Sequence, residues 1–159
     1  MKQAIVYSSA TGNTKLLAET IQKALGSDVS IGGVSEDALN ADVVYVGSWA
    51  QAFTCTADIK EFLEKLNNKK VFLFMTAGYG NTDDFFQPIM DSVKANVNDT
   101  NEIIGTYICQ GKVSEGKQEA IKKMDMAKYE SMKAKLDESV SHPSKDDLEK
   151  LTTVINAIS

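Results

Sequence analysis

Five short apolar runs, each separated from the next by a stretch of different periodicity, constrain this chain more than any other feature. The runs are Ala4–Tyr7, Val29–Ile31, Val43–Val46, Val71–Met75 and Ile103–Cys109. They are rich in β-branched and aromatic residues and show little polar alternation, the pattern of parallel strands buried on both faces. Between them, Leu16, Leu17, Ile21 and Leu25 recur at helical spacing and stop at Gly26. Ile59, Phe62, Leu63 and Leu66 do likewise before Asn67-Asn68, and Phe85, Phe86, Ile89, Met90 and Val93 form a third set. Pro88 falls inside that third set and is tolerated only near a helix start. The crossover Gly32–Asp42 has room for one or two helical turns. Such alternation predicts an α/β fold with a doubly wound, five-stranded parallel sheet and helices on both faces.

After Cys109 the character changes. Residues 117–139 are rich in lysine and glutamate, with Ile121, Met124, Met132 and Leu136 as a sparse apolar stripe. Ser141-His142-Pro143 breaks the chain before a last helix, Asp146–Ile158, with Ser144 as its cap and Asp147 three residues later. No repeat or long linker interrupts the 159 residues. They read as a single domain, with a core over 1–112 and a helical C-terminal extension over 113–159.

Composition narrows the function. The net charge of −5 repels phosphate backbones, so nucleic acid is not an expected partner. All 17 basic residues are lysines, so any phosphate must be held without a guanidinium fork. The two cysteines, Cys55 and Cys109, form no CxxC and have no histidine cluster to make a metal site. The N-terminal run turns polar at Ser8, too soon for a signal peptide, and no apolar run reaches the ~20 residues of a membrane span. A cytoplasmic protein with reduced thiols is expected.

The first apolar run leads straight into Ser8-Ser9-Ala10-Thr11-Gly12-Asn13-Thr14 and then a helix. Hydroxyls, one glycine and free amides at a helix N-terminus make a neutral anion cradle. GxxxxGK[ST] and GxGxxG are both absent, so neither a P-loop nor a dinucleotide fingerprint is present. The same residues would also serve as a capped turn.

Ser9-Ala10-Thr11-Gly12-Asn13-Thr14 resembles the phosphate-loop signature of flavodoxins, [ST]-x-T-G-x-T, at its place after the first strand. The resemblance covers roughly residues 2–112. It implies strand order 2-1-3-4-5 and one FMN where the first and third strands diverge. Two further loops then line the site, Gly47–Thr56 and Thr76–Phe85. Flavodoxins sandwich the flavin ring between aromatic side chains of these loops, which points to Trp49 and Tyr79. A flat electron-rich ring stacks on a flat electron-poor one. Flanking glycines would let backbone amides approach the ring. Ser48, Ala50, Gln51, Ala77, Gly78, Gly80, Asp84 and Phe85 complete the expected cofactor-binding set.

Two departures stand out. Ala50 occupies a place where flavodoxins commonly carry a glycine that flips its peptide. The acidic ring of many flavodoxins is reduced to Asp58, Asp83 and Asp84, with no lysine in either loop. Gly47-Ser48-Trp49, Thr76–Gly80 and Cys109-Gln110-Gly111-Lys112, with the long extension, are similar to a flavodoxin-like group associated with bilin-reducing enzymes of anaerobic bacteria.

The resemblance implies a monomeric, low-potential electron carrier rather than an enzyme, serving a reductase donor and an acceptor oxidoreductase such as a bilin reductase. The alternative is a flavodoxin-fold NAD(P)H-dependent FMN reductase or quinone oxidoreductase, for which no second phosphate cradle is visible. A receiver-type signalling domain needs acids after the first strand, and Tyr7-Ser8-Ser9 supplies none. His142 reads as a surface turn residue and Cys109 as core. Cys55, although in a flavin loop, reads as a packed thiol, and Asp83-Asp84 as helix-favouring acids rather than metal ligands.

Overall fold

The computed structural model describes all 159 residues. Five strands, β1 (Gln3–Tyr7), β2 (Ser30–Gly32), β3 (Val43–Trp49), β4 (Lys70–Ala77) and β5 (Glu102–Gln110), form one parallel sheet in the order β2-β1-β3-β4-β5. The connections are α1 (Asn13–Leu25), a single 3-10 turn over Asp37–Asn40, α2 (Ala57–Glu64) and α3 (Asp83–Lys94). After β5 come α4 (Glu115–Met124), α5 (Met126–Ser139) and α6 (Lys145–Ile158).

Both faces of the sheet are buried, which is why the strands lack polar alternation. Ala4 and Val6 of β1, Val44 and Val46 of β3, and Val71, Leu73 and Met75 of β4 meet Ile59, Phe62, Leu63, Ile89 and Met90 of α2 and α3. The intervening Ile5, Val43, Tyr45, Phe72 and Phe74 meet Leu17, Ala18 and Ile21 of α1 with Leu151 and Ile155 of α6. Period-two alternation thus chooses the covering helix pair rather than core or solvent.

β3 extends three residues past Val46 because Gly47, Ser48 and Trp49 continue its register with Phe74, Met75 and Thr76 of β4. A Cβ at position 47 would strike the Phe74 ring, so a glycine is needed there. These residues were expected in the loop and are strand instead. The helix holding Pro88 starts at Asp83, two residues before the apolar pattern, capped by the Thr82 hydroxyl that accepts from the Phe85 amide.

The stretch from residue 113 onward does not behave as one extension. α6 is core: Leu151 and Ile155 are fully buried, and the Tyr107 hydroxyl of β5 donates to the Asp147 carbonyl. Its start is the expected capping box, with Ser144 Oγ and the Asp147 carboxylate exchanging backbone hydrogen bonds. Asp147 also takes His142 Nδ1 at 2.6 Å, so the single histidine is tied to the cap instead of lying free on the turn. α4 buries no residue and α5 only Leu136 and Ser139, so this hairpin alone stands outside the core. No helix is long and apolar enough to cross a membrane.

Candidate flavin site

The loop after β1 builds the expected cradle. Gly12, at φ 97°, caps α1 in the left-handed region that favours glycine. The Ser9 hydroxyl accepts from the amides of Gly12 (3.1 Å) and Lys15 (3.3 Å), drawing the loop around the helix start. The amides of Ala10, Thr11, Asn13 and Thr14 donate to no protein acceptor. Together with the helix dipole they form a neutral anion nest.

The side chains divide. Thr11 is exposed at the cradle, whereas Thr14 is fully buried with its hydroxyl 3.1 Å from that of Thr76. Ser8 donates its amide to Gly47 and continues the sheet edge into the loop. Asn13 Nδ2 donates to the Lys112 carbonyl at 2.9 Å, joining the cradle to the loop after β5.

A cavity of about 110 Å³ begins at this cradle, lined by Ala10, Thr11 and Asn13, then Trp49, Ala50, Ala77, Gly78 and Tyr79. A second of about 480 Å³ adjoins it, sharing Ala50, Ala77, Gly78 and Tyr79, and continues to Ala52, Phe53, Phe85, Ile121 and Met132. An anion nest at one end, two half-buried aromatic rings and an apolar continuation fit the phosphate and flat ring of FMN. The cleft opens at the carboxyl ends of β1, β3 and β4, at the switch point of the sheet.

Other expected site residues have local tasks. Ser48 is buried; its hydroxyl donates to the Trp49 carbonyl and accepts from the Thr56 amide, which closes the 50–56 loop. Gln51 and Thr54 exchange backbone hydrogen bonds across Ala52 and Phe53, both left-handed at φ 52° and 64°. Left-handed backbone costs a non-glycine residue about 1–2 kcal/mol, so conformational strain sits here rather than at Ala50. The Phe53 ring meets Phe85 edge to face, 6.3 Å apart. The space above Gly78 is taken by Val113, and a Cβ on Gly80 would lie 2.7 Å from the Phe85 ring. Close packing of neighbours requires those glycines. Asp84 is exposed in the first turn of α3 with Asp83. Cys55 turns into the core beneath α2 and α3, and burial pushes its thiol pKa up.

The sequence reading missed the other wall of the cleft. Gly111, Lys112, Val113, Ser114 and Lys117 line the first cavity, and Ile121, Lys128, Met132 and Lys135 line the second. Neither flavin loop carries a lysine, but α4 and α5 bring three to its mouth. The available signal was position: the segment after β5 leaves the sheet at the same carboxyl edge, beside the loop after β4.

A parallel sheet of order 2-1-3-4-5, with unpaired loop amides and two aromatics at its switch point, defines a flavodoxin-type domain. The chain belongs to the flavodoxin domain family, which matches residues 4–156. It is 33% identical over 159 residues to the flavodoxin-like domain-containing protein BilS of Clostridioides difficile, covering 93% of this chain and 90% of that one. Among solved structures, oxidised Flavodoxin 2 from Bacillus cereus superposes with a TM-score of 0.61 at 17% identity, covering 99% of this chain and 97% of that one. The two-electron reduced flavodoxin of Megasphaera elsdenii gives 0.53 at 29% identity, over 67% and 84% of the respective chains.

Proposed function

We propose that this chain binds one FMN and acts as a monomeric electron carrier between a reductase and an acceptor oxidoreductase. The observation that carries this reading is one continuous cleft joining the unpaired amides of Ala10, Thr11 and Asn13 to the rings of Trp49 and Tyr79. The amides of Ala10, Thr11 and Asn13 with the Thr11 hydroxyl would hold a single terminal phosphate, which selects FMN over FAD and riboflavin. Trp49 and Tyr79 would stack on the ring, each worth about 0.5–1.5 kcal/mol beyond its buried area. Bound FMN would supply the redox chemistry, taking up and releasing electrons at its ring. Membership of the flavodoxin domain family favours a carrier over an enzyme. The motif resemblance and the BilS relative support a bilin reductase as the acceptor class.

Docking would use the exposed rim between Asp58, Asp83 and Asp84 on one side and Lys128 and Lys135 on the other. Redox encounters of this kind are small, below ~1,200 Å², and short-lived. The test is reconstitution of apoprotein. FMN is expected to bind and lose its fluorescence, riboflavin to bind more weakly, and NADH or NADPH alone to leave bound flavin oxidised. Equal affinity for FMN and riboflavin would remove the phosphate nest from the argument. Rapid reduction by a nicotinamide would move the protein to the NAD(P)H-dependent oxidoreductases.

A further inference from the structure

The Lys117 ammonium lies over two aromatic rings at once, 5.3 Å from the centroid of Trp49 and 5.5 Å from that of Tyr79. Trp49 ends β3 and Tyr79 lies two residues past β4, so one cation from α4 is shared between the two faces expected to hold a flavin. Lys117 and Lys112 are the only charged groups among the fourteen residues lining this cavity, and no carboxylate is among them. Glu115 lines an adjoining recess with Thr11, Asn13, Lys112 and Ser114.

The root of α4 is fixed. The Gly111 amide donates to the Ala77 carbonyl, and the Val113 amide donates to Ser139 Oγ. Val113 is buried against Gly78, and the Ser114 hydroxyl accepts from the Lys117 amide as the helix cap. Lys117 therefore projects from a held backbone one turn into the helix. A ring entering between Trp49 and Tyr79 would displace the ammonium, but the flexible side chain would stay tethered to this held backbone beside the cleft.

We propose that Lys117 is the charge that sets the reduction potential of a flavin held in this cleft, favouring its reduced form. The inference rests on the FMN reading above. Taking up two electrons and one proton leaves a net negative charge on a neutral ring. An ammonium within a few ångströms stabilises that charge and leaves the oxidised ring nearly unaffected. No carboxylate in the lining offsets it.

Lys117→Gln removes the charge at similar length, and Lys117→Arg keeps it. Apoprotein of each is titrated with FMN, and the bound flavin is then reduced with dithionite against a reference dye. Oxidised FMN is expected to bind Lys117→Gln within about threefold of wild type. Reduced FMN is expected to bind it about tenfold more weakly, which lowers the two-electron midpoint by about 30 mV. Lys117→Arg should restore the wild-type midpoint. A Lys117→Gln midpoint equal to or above wild type, with FMN still bound, would overturn the proposal alone. Failure of the arginine variant to restore the midpoint would overturn it too, because the effect would then not be one of charge. Wild-type apoprotein that binds no FMN would overturn the cofactor reading and this inference together.

Discussion

Asn13 Nδ2 donates to the carbonyl of Lys112 at 2.9 Å, tying the loop after β1 to the loop after β5 across 99 residues of sequence. The Asn13 side chain also packs on Gly111, where a Cβ would lie 2.7 Å from the same nitrogen. One side chain therefore holds together the two walls of the cleft. Asn13→Ala is expected to cost about 1 kcal/mol of stability through the lost hydrogen bond, seen as a lower urea midpoint at unchanged slope. It should also weaken FMN, because the two walls are no longer tied.

The two threonines of the cradle separate into different roles. Thr11 is exposed and should act on ligand alone. Thr11→Ala is expected to weaken FMN by about 1 kcal/mol, roughly fivefold, and to leave riboflavin affinity and unfolding unchanged. Thr14→Val buries an apolar group against the Thr76 hydroxyl and should lower stability by about 1–3 kcal/mol. Calorimetric titration and urea unfolding of both variants check the split; identical behaviour of the two would contradict it.

Gly78 and Val113 form a lock between β4 and the root of α4. Gly78→Ala is expected to destabilise by about 1–3 kcal/mol, the usual cost of overfilling a packed site. Adding Val113→Ala should recover part of that loss, because its removed methyls are the atoms the new Cβ meets. A double-mutant cycle with zero coupling would show that the contact does not form in solution.

Both thiols are shielded. Cys109 is buried against α1 and α6 and Cys55 against α2 and α3, and burial pushes both thiol pKa values above the ordinary 9.0. A raised pKa lowers the thiolate fraction, so neither should react with a disulfide reagent at pH 8 until the protein unfolds. Tyr107 is likewise pushed above the ordinary 10.0, chiefly by burial. Each of these groups is neutral in the folded state and ionises first in the unfolded chain. The contribution of these three groups to stability should thus be constant below about pH 8 and be lost progressively as pH rises further. Urea midpoints measured from pH 7 to 10.5 test this.

The sheet was legible because parallel strands and crossover helices carry two different periods, and its order followed from the resemblance of the Ser9–Thr14 motif to flavodoxins. The cradle, Trp49 and Tyr79 could be picked out because each lies at or just beyond the carboxyl end of a strand. What escaped was set by distance in the chain. Lys117, Lys128 and Lys135 read as a solvated face, since nothing local says which surface of α4 and α5 meets the cleft. Ala52-Phe53 gave no turn signal, because left-handed hairpin positions are ordinarily marked by asparagine or glycine. Ser48 and Thr14 were expected in the cofactor-binding set, and their hydroxyls engage neighbouring protein groups. Their type was right for phosphate, but burial decides partners, and burial follows from packing that a linear reading does not contain.

The core membership of α6 has a consequence for how the chain assembles. One face of the sheet is closed by α1 and α6 together, so Ile5, Tyr45 and Phe72 keep an open side until Leu151 and Ile155 arrive. During synthesis, at about 5–20 residues per second, the stretch from the end of β5 to the end of α6 takes about 2–10 seconds to emerge. Throughout that interval the chain can pair all five strands yet must expose an aromatic and aliphatic surface. Folding intermediates of this protein should therefore bind hydrophobic dyes and chaperones through the α1 face, while the α2–α3 face closes early.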